Sequence, residues 1–238
     1  MSDLQTTVAT ACRILAQQGL AADVLGHVSV RLDADRILLR CRGPQDRGLL
    51  FTVADDIRLV DLDGRGDLDG GYAVPNEFHI HTELFRARPD VQAVVHVHPR
   101  EVMIADLAGI TLRQVFGAYN IPASRLANQG VPVYPRSVLV RTPELGRAVA
   151  GAVGDAGVCI LRGHGVVTTG ESVEQATLRA LDLAELSRIS TEVALLGGHP
   201  QVLSDDDRRE LPDLGSSFND QSRWRHYAGR LEAAGLSL

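Results

Sequence analysis

Between Gly26 and Val60 the chain passes through four short stretches, HVSVRL, RILLRC, LLFTV and IRLV, in which apolar and polar side chains alternate. A period of two over runs this short, broken by polar turns, is the pattern of antiparallel strands. A sheet of this kind must bury its apolar surface against another layer. The rest of the sequence supplies that layer. Leu4, Val8, Cys12, Leu15 and Ala16 recur every three or four residues and predict a first helix over 4–18, stopped at Gly19. Pro75 opens a helix over NEFHIHTELFRAR, Pro99 a short one ending at Leu107, and Thr142 caps one ending at Val153. A long helix is expected over 173–196 and a last one over 220–234. VQAVVHV (91–97) reads as a strand, and VCILRGHGVVTTG (158–170) as a strand, a glycine-bracketed turn and a second strand. No repeat, low-complexity tract or linker divides residues 1–238, so the expectation is one α/β domain, an antiparallel sheet covered by helices.

Charge and composition remove several classes of function. Lys and Arg number 24 against 30 Asp and Glu, a formal net charge of −6 with no Lys/Arg-rich run, so a nucleic-acid partner finds no support. No apolar run reaches the roughly 18 residues of a membrane span, and the first residues lack a basic leader, so neither membrane insertion nor a secretory signal is expected. Cys12, Cys41 and Cys159 belong to no CxxC pair and read as buried thiols of a cytoplasmic protein. In the connector DLDGRGDLDGGY, Asp61, Asp63 and Gly66 imitate the first, third and sixth positions of a calcium loop. Arg65 and Tyr72 stand where its fifth and last ligands belong, so calcium is not expected.

The chemistry concentrates in histidines. In the strand VVHVH, side chains two apart point the same way, so His96 and His98 offer two imidazoles to one face. His164 stands in Arg-Gly-His-Gly, where two glycines let the backbone approach closely and aim one ring. Three neutral imidazoles with an open position suit a catalytic divalent metal; the same residues could equally be structural or exposed histidines. Glu77, near the start of its helix, reads either as a carboxylate favoured by the helix dipole or as a general acid/base beside the metal. His81, one turn on, either orients Glu77 or is a structural histidine, and His79 is expected to be exposed. GHGVVTTG has the spacing of neither a P-loop nor a dinucleotide fingerprint.

Taken together, Gly26-His27-Val28-Ser29-Val30-Arg31, Pro75-Asn76-Glu77, RPDVQAVVHVHP (88–99) and LRGHGVVTTG (161–170) resemble the class II aldolase/adducin family in order and separation, over roughly residues 4–230. The resemblance implies α/β/α layers around a central, mostly antiparallel sheet, and a homotetramer with active sites between subunits. It implies one divalent metal ion per subunit, zinc or else manganese, iron or cobalt, held by His96, His98 and His164. Glu77 then matches the catalytic acid/base. Tyr119 falls near the proton-donating tyrosine of the family's aldolases. Trp224, Arg225, His226 and Tyr227 lie where a C-terminal helix reaches a neighbour's site or, equally, packs on its own subunit.

Departures from the family pattern narrow the substrate. Sugar-phosphate members carry Gly-Asn and Ser-Ser where this chain has Gly26-His27 and Pro75-Asn76, and Pro75 has no N–H to offer a phosphate. Arg40, Arg42 and Arg47 surround CRGPQDRG instead, planar forks suited to carboxylates unless they are merely a solvated strand end. The chain is thus similar to the branch that decarboxylates hydroxylated aromatic dicarboxylates. The expected partner is a small carboxylated substrate bound by Arg40, Arg42, Arg47, Ser29 and Asn76, with Glu77 or His27 giving a proton to carbon. The alternatives are retro-aldol cleavage of an unphosphorylated or acidic hydroxy-ketone with Tyr119 as proton donor, an epimerase or dehydratase, and a non-catalytic adducin-like scaffold.

Overall fold

The structure, a computed structural model, describes residues 2–238. Seven strands form one sheet: β1 (His27–Arg31), β2 (Arg36–Arg40), β3 (Ile57–Asp61), β4 (Ala93–Val97), β5 (Val133–Tyr134), β6 (Val158–Leu161) and β7 (Gly165–Gly170). Their spatial order is β3-β2-β1-β4-β7-β6-β5, antiparallel throughout except for the parallel β5–β6 pair. Eight helices surround it: α1 (Ser2–Gln17), α2 (Phe78–Ala87), α3 (Arg100–Leu107), α4 (Ile121–Leu126), α5 (Pro143–Val153), α6 (Val173–Leu195), α7 (Asp205–Glu210) and α8 (Arg223–Ala233).

Alternation along the strands builds two cores. Val28 and Val30 of β1, Leu38 of β2, Ala93, Val95 and Val97 of β4, and Val166 of β7 pack under α1, α3 and α6. Ile37 and Leu39, Val94, Cys159 and Leu161, and Val167 face the other way, under α2 and α5. The result is the expected α/β/α layering. On the second face β1 carries His27, Ser29 and Arg31 and β4 carries His96, since side chains two apart along a strand share a face. The register places His27 directly opposite His96 across the β1–β4 ladder.

Several boundaries differ from the reading of the sequence. LLFTV is no strand: Leu49–Phe51 makes one 3₁₀ turn, which buries Leu49 and leaves Phe51 exposed, whereas a strand would turn both to one face. The turn follows Gly48 at φ +88°, whose N–H donates to Asp46. α2 begins at Phe78 rather than at Pro75, which leaves Asn76 and Glu77 in the turn before it. A π-turn over Ser217–Ser222 precedes α8, so the last helix starts later than 220. α4, capped by the Asn120 side chain on the Ala123 N–H and opened by Pro122, is a helix beyond those expected from the sequence. The two-residue β5 is too short to show a period. All three cysteines are buried and unbridged. No helix of the described residues is long and apolar enough to cross a membrane.

Candidate metal centre

Three loops meet at one end of the sheet. β4 runs out into His98, whose backbone N–H donates to the Leu20 carbonyl. β6 turns into β7 through Arg162, Gly163 and His164, and the turn before α2 presents Glu77. The hinge around His164 needs its glycines. Gly163 sits at φ +58°, and a Cβ on Gly165 would lie 2.6 Å from both the His98 ring and the Val97 carbonyl oxygen. Asp106 of α3, with its side chain buried, accepts the Gly163 N–H at 2.8 Å and pins the same hinge.

Glu77, His96, His98 and His164 thereby converge, one donor atom from each, all within 4.8 Å of one another. The His96 Nδ1 lies 2.9 Å from the Val166 carbonyl, which can only accept, so Nδ1 carries the hydrogen and Nε2 keeps its lone pair toward the cluster. The Nε2 atoms of His96 and His98 are 2.9 Å apart. Glu77 Oε2 stands 3.3 Å from Nε2 of both His96 and His164, while its Oε1 accepts the Val140 N–H at 2.9 Å. Burial would raise the Glu77 carboxyl, but its close contacts with the His164 and His96 rings and the hydrogen bond it accepts from the Val140 amide outweigh it and hold the group well below the carboxylate range. Burial first, then the neighbouring His96 and His164 rings, holds His98 down to about 3. Three imidazoles converging on an ionised carboxylate are a donor set that fits a divalent cation.

Next to the cluster lies a second set of buried rings. The His27 ring centroid is 5.0 Å from that of His96, and its Nδ1 is 2.6 Å from His81 Nε2. His81 Nδ1 is in turn 2.5 Å from the Ser29 hydroxyl. His81 therefore neither orients Glu77 nor merely fills space: it stands behind His27. Burial first, with the nearby His96, holds His81 down to about 3, and burial holds His27 well below its ordinary value.

The remaining residues singled out in the sequence fare differently. Ser29 is wholly buried with its hydroxyl on His81, which takes it out of reach of a substrate. Asn76 is exposed beside Glu77. Arg40 points to the face opposite His27, because β2 pairs Leu39 with Ser29 and the next residue turns away. It is buried and paired with Asp46, so it holds a loop rather than a substrate. Asp46→Ala should accordingly destabilise the fold by about 3–5 kcal/mol, leaving a buried cation without its partner. Equilibrium denaturation measures this, and an unchanged midpoint would return Arg40 to the candidate ligands. Arg42, in the loop leaving the same sheet end as the cluster, touches the Val24 carbonyl at 3.3 Å and Asp46 at 3.9 Å. Arg47 lies over the exposed Phe51 ring. Tyr119 is 64% exposed and donates to Glu185 of α6 at 2.6 Å, apart from the four clustered side chains. Trp224 and Tyr227 pack partly against the α1 side of the core, while Arg225 and His226 face outward. His79 is half-buried rather than exposed.

The chain is similar to known proteins over almost its whole length. The family described as Class II Aldolase and Adducin N-terminal domain matches residues 6–191. A 3,4-dihydroxyphthalate decarboxylase of Arthrobacter keyseri is 54% identical over 231 residues, which cover 95% of this chain and 93% of that one. Its counterpart from Rhodococcus jostii is 46% identical, covering 95% of each chain. An aldolase II superfamily protein of Pseudomonas syringae shares the fold with a TM-score of 0.81 at 22% identity, over 99% of this chain and 94% of that one.

Proposed function

Because this chain belongs to the class II aldolase and adducin family, we propose that it removes one carboxylate from a hydroxylated aromatic dicarboxylate resembling dihydroxyphthalate. It is a carbon–carbon lyase, and the observation that carries the substrate reading is its 54% identity, nearly end to end, to a decarboxylase of that kind. His96, His98 and His164, with Glu77 facing them, would hold the metal. Three imidazoles and a carboxylate suit zinc, and manganese, iron or cobalt fits the same donors. When bound, the ion supplies a Lewis acid for the electron density that scission leaves on the ring.

The protein's own residues handle the proton and the anionic groups. Glu77, ionised and anchored by the Val140 amide, takes the proton of the substrate's ortho hydroxyl. Carbon dioxide departs with neither electron of the broken bond, and Glu77 returns its proton to the ring carbon that held the lost carboxylate. His27 stands beside this exchange as a further hydrogen-bonding group. Arg42 and Arg47, in place of the occupied Arg40, are the cations proposed for the second carboxylate. The exposed Leu107, Leu195 and Leu196 offer apolar surface to a further copy of the chain, the assembly proposed being the homotetramer with sites between subunits that the family resemblance implies, and three buried thiols support a cytoplasmic setting.

Metal-loaded protein incubated with a panel of ortho-hydroxy aromatic dicarboxylates should release carbon dioxide in step with substrate loss. Silence across the panel, together with cleavage of a hydroxy-ketone, would replace decarboxylation by retro-aldol chemistry.

A further inference from the structure

The row Ser29–His81–His27 is made of side chains each at least 97% buried, linked by contacts of 2.5 and 2.6 Å. It leads from the β1 core to a ring packed on His96. Such a row has two possible directions. In one, the Ser29 hydroxyl donates to His81 Nδ1, His81 Nε2–H donates to His27 Nδ1, and the His27 hydrogen is left on Nε2. In the other, every ring hydrogen moves to Nδ1, His81 donates to Ser29, and the serine hydrogen must find an acceptor elsewhere.

The surroundings decide between them. The Ser29 hydroxyl makes no other hydrogen bond among the described residues, and the side chain is sealed from water. The second direction would therefore strand a buried hydroxyl hydrogen, while the first leaves only spare acceptor lone pairs, which buried oxygens tolerate more readily. With Ser29 donating to His81 Nδ1, the His81 hydrogen stands on Nε2 and the His27 lone pair on Nδ1 must accept it, which leaves the His27 hydrogen on Nε2.

We infer that Ser29 and His81 are positioning residues that fix His27 as the Nε2–H tautomer, so that it offers a hydrogen-bond donor to an anionic oxygen of the substrate. The tautomer order stands on the geometry alone; only the identity of the acceptor rests on the dicarboxylate reading. This explains why a serine that cannot reach substrate lies at the heart of the β1 segment. It also explains why the ring beside His96 differs in kind from its neighbours: the three clustered rings present lone pairs to a cation, and His27 presents hydrogen to an anion.

Long-range 1H–15N correlation spectra of the zinc-loaded, 15N-histidine-labelled protein, with signals assigned through His27→Gln and His81→Gln, read the tautomers directly. Both rings are expected as Nε2–H, and a His27 ring protonated on Nδ1 would overturn the inference without any variant having to fold. Ser29→Ala is expected to mix the two tautomers of His27 at unchanged metal content, and Ser29→Thr to restore the single form. The same Ser29→Ala change should raise KM for the dicarboxylate about tenfold, the size of one hydrogen bond to a charged group. A His27 signal indifferent to Ser29→Ala would equally count against the lock. Correct tautomers in a protein that releases no carbon dioxide from the panel would uphold it and remove only the proposed reaction.

Discussion

His96→Ala should strip the purified protein of stoichiometric metal while its helical and sheet content survives. The ring is fully buried and bonded to the Val166 carbonyl through Nδ1, so its loss removes one ligand and one ladder-side contact. Val94, Val95 and Val97 continue to hold β4 in both cores. Losing the charge stabilisation of a catalytic cation, several kcal/mol, corresponds to a fall in turnover on the order of a thousandfold or more. Metal analysis of the gel-filtered variant, with circular dichroism as the control for folding, checks this. A variant that unfolds, with full metal in whatever stays folded, would assign the ring to packing instead.

The second large effect is expected from Glu77→Gln. The amide can still accept the Val140 N–H through its oxygen, so the turn before α2 keeps its anchor. Three imidazoles remain for the metal. What disappears is the group that takes and returns a proton, a contribution of roughly 10²–10⁴ in rate. Retained metal with a kcat lowered by that factor is the expected result, and undiminished turnover would remove Glu77 from the mechanism.

Part of this centre was legible in short-range geometry, and the joining of its four residues into one ligand set was legible only through the family resemblance. The two-residue period of a strand puts His96 and His98 on one face without reference to the rest of the chain, and the glycines flanking His164 announce a hinge. An antiparallel sheet covered by helices followed from alternation in β1 and β2 and from three- and four-residue spacing in α1, while the α/β/α layering came from the family resemblance. Long-range facts were not legible. That Arg40 lies on the other face from His27 depends on the β1–β2 register, and its pairing with Asp46 depends on a loop whose run LLF looked like a strand but turns at Gly48. The part played by His81 required knowing that α2 lies over β1, which brings residues more than fifty positions apart within 2.6 Å. The amide that anchors Glu77 belongs to Val140, a backbone group that no side-chain motif marks. Tyr119 lies on the surface, donating to Glu185 of its own chain, a placement that no local pattern in the sequence marks.

The donors of the metal centre are His96 on β4, His98 just beyond it, His164 in the turn that enters the neighbouring antiparallel β7, and Glu77 in the turn before α2. A slip of one residue between β4 and β7 would send His96 into the opposite core while leaving His164 behind. Cation affinity therefore belongs to a single alignment of the central hairpin-like pair, and ions in the medium reward that alignment over every shifted one. An ion acquired for catalysis would act at the same time as a proofreader of assembly, favouring chains whose central strands have been zipped correctly.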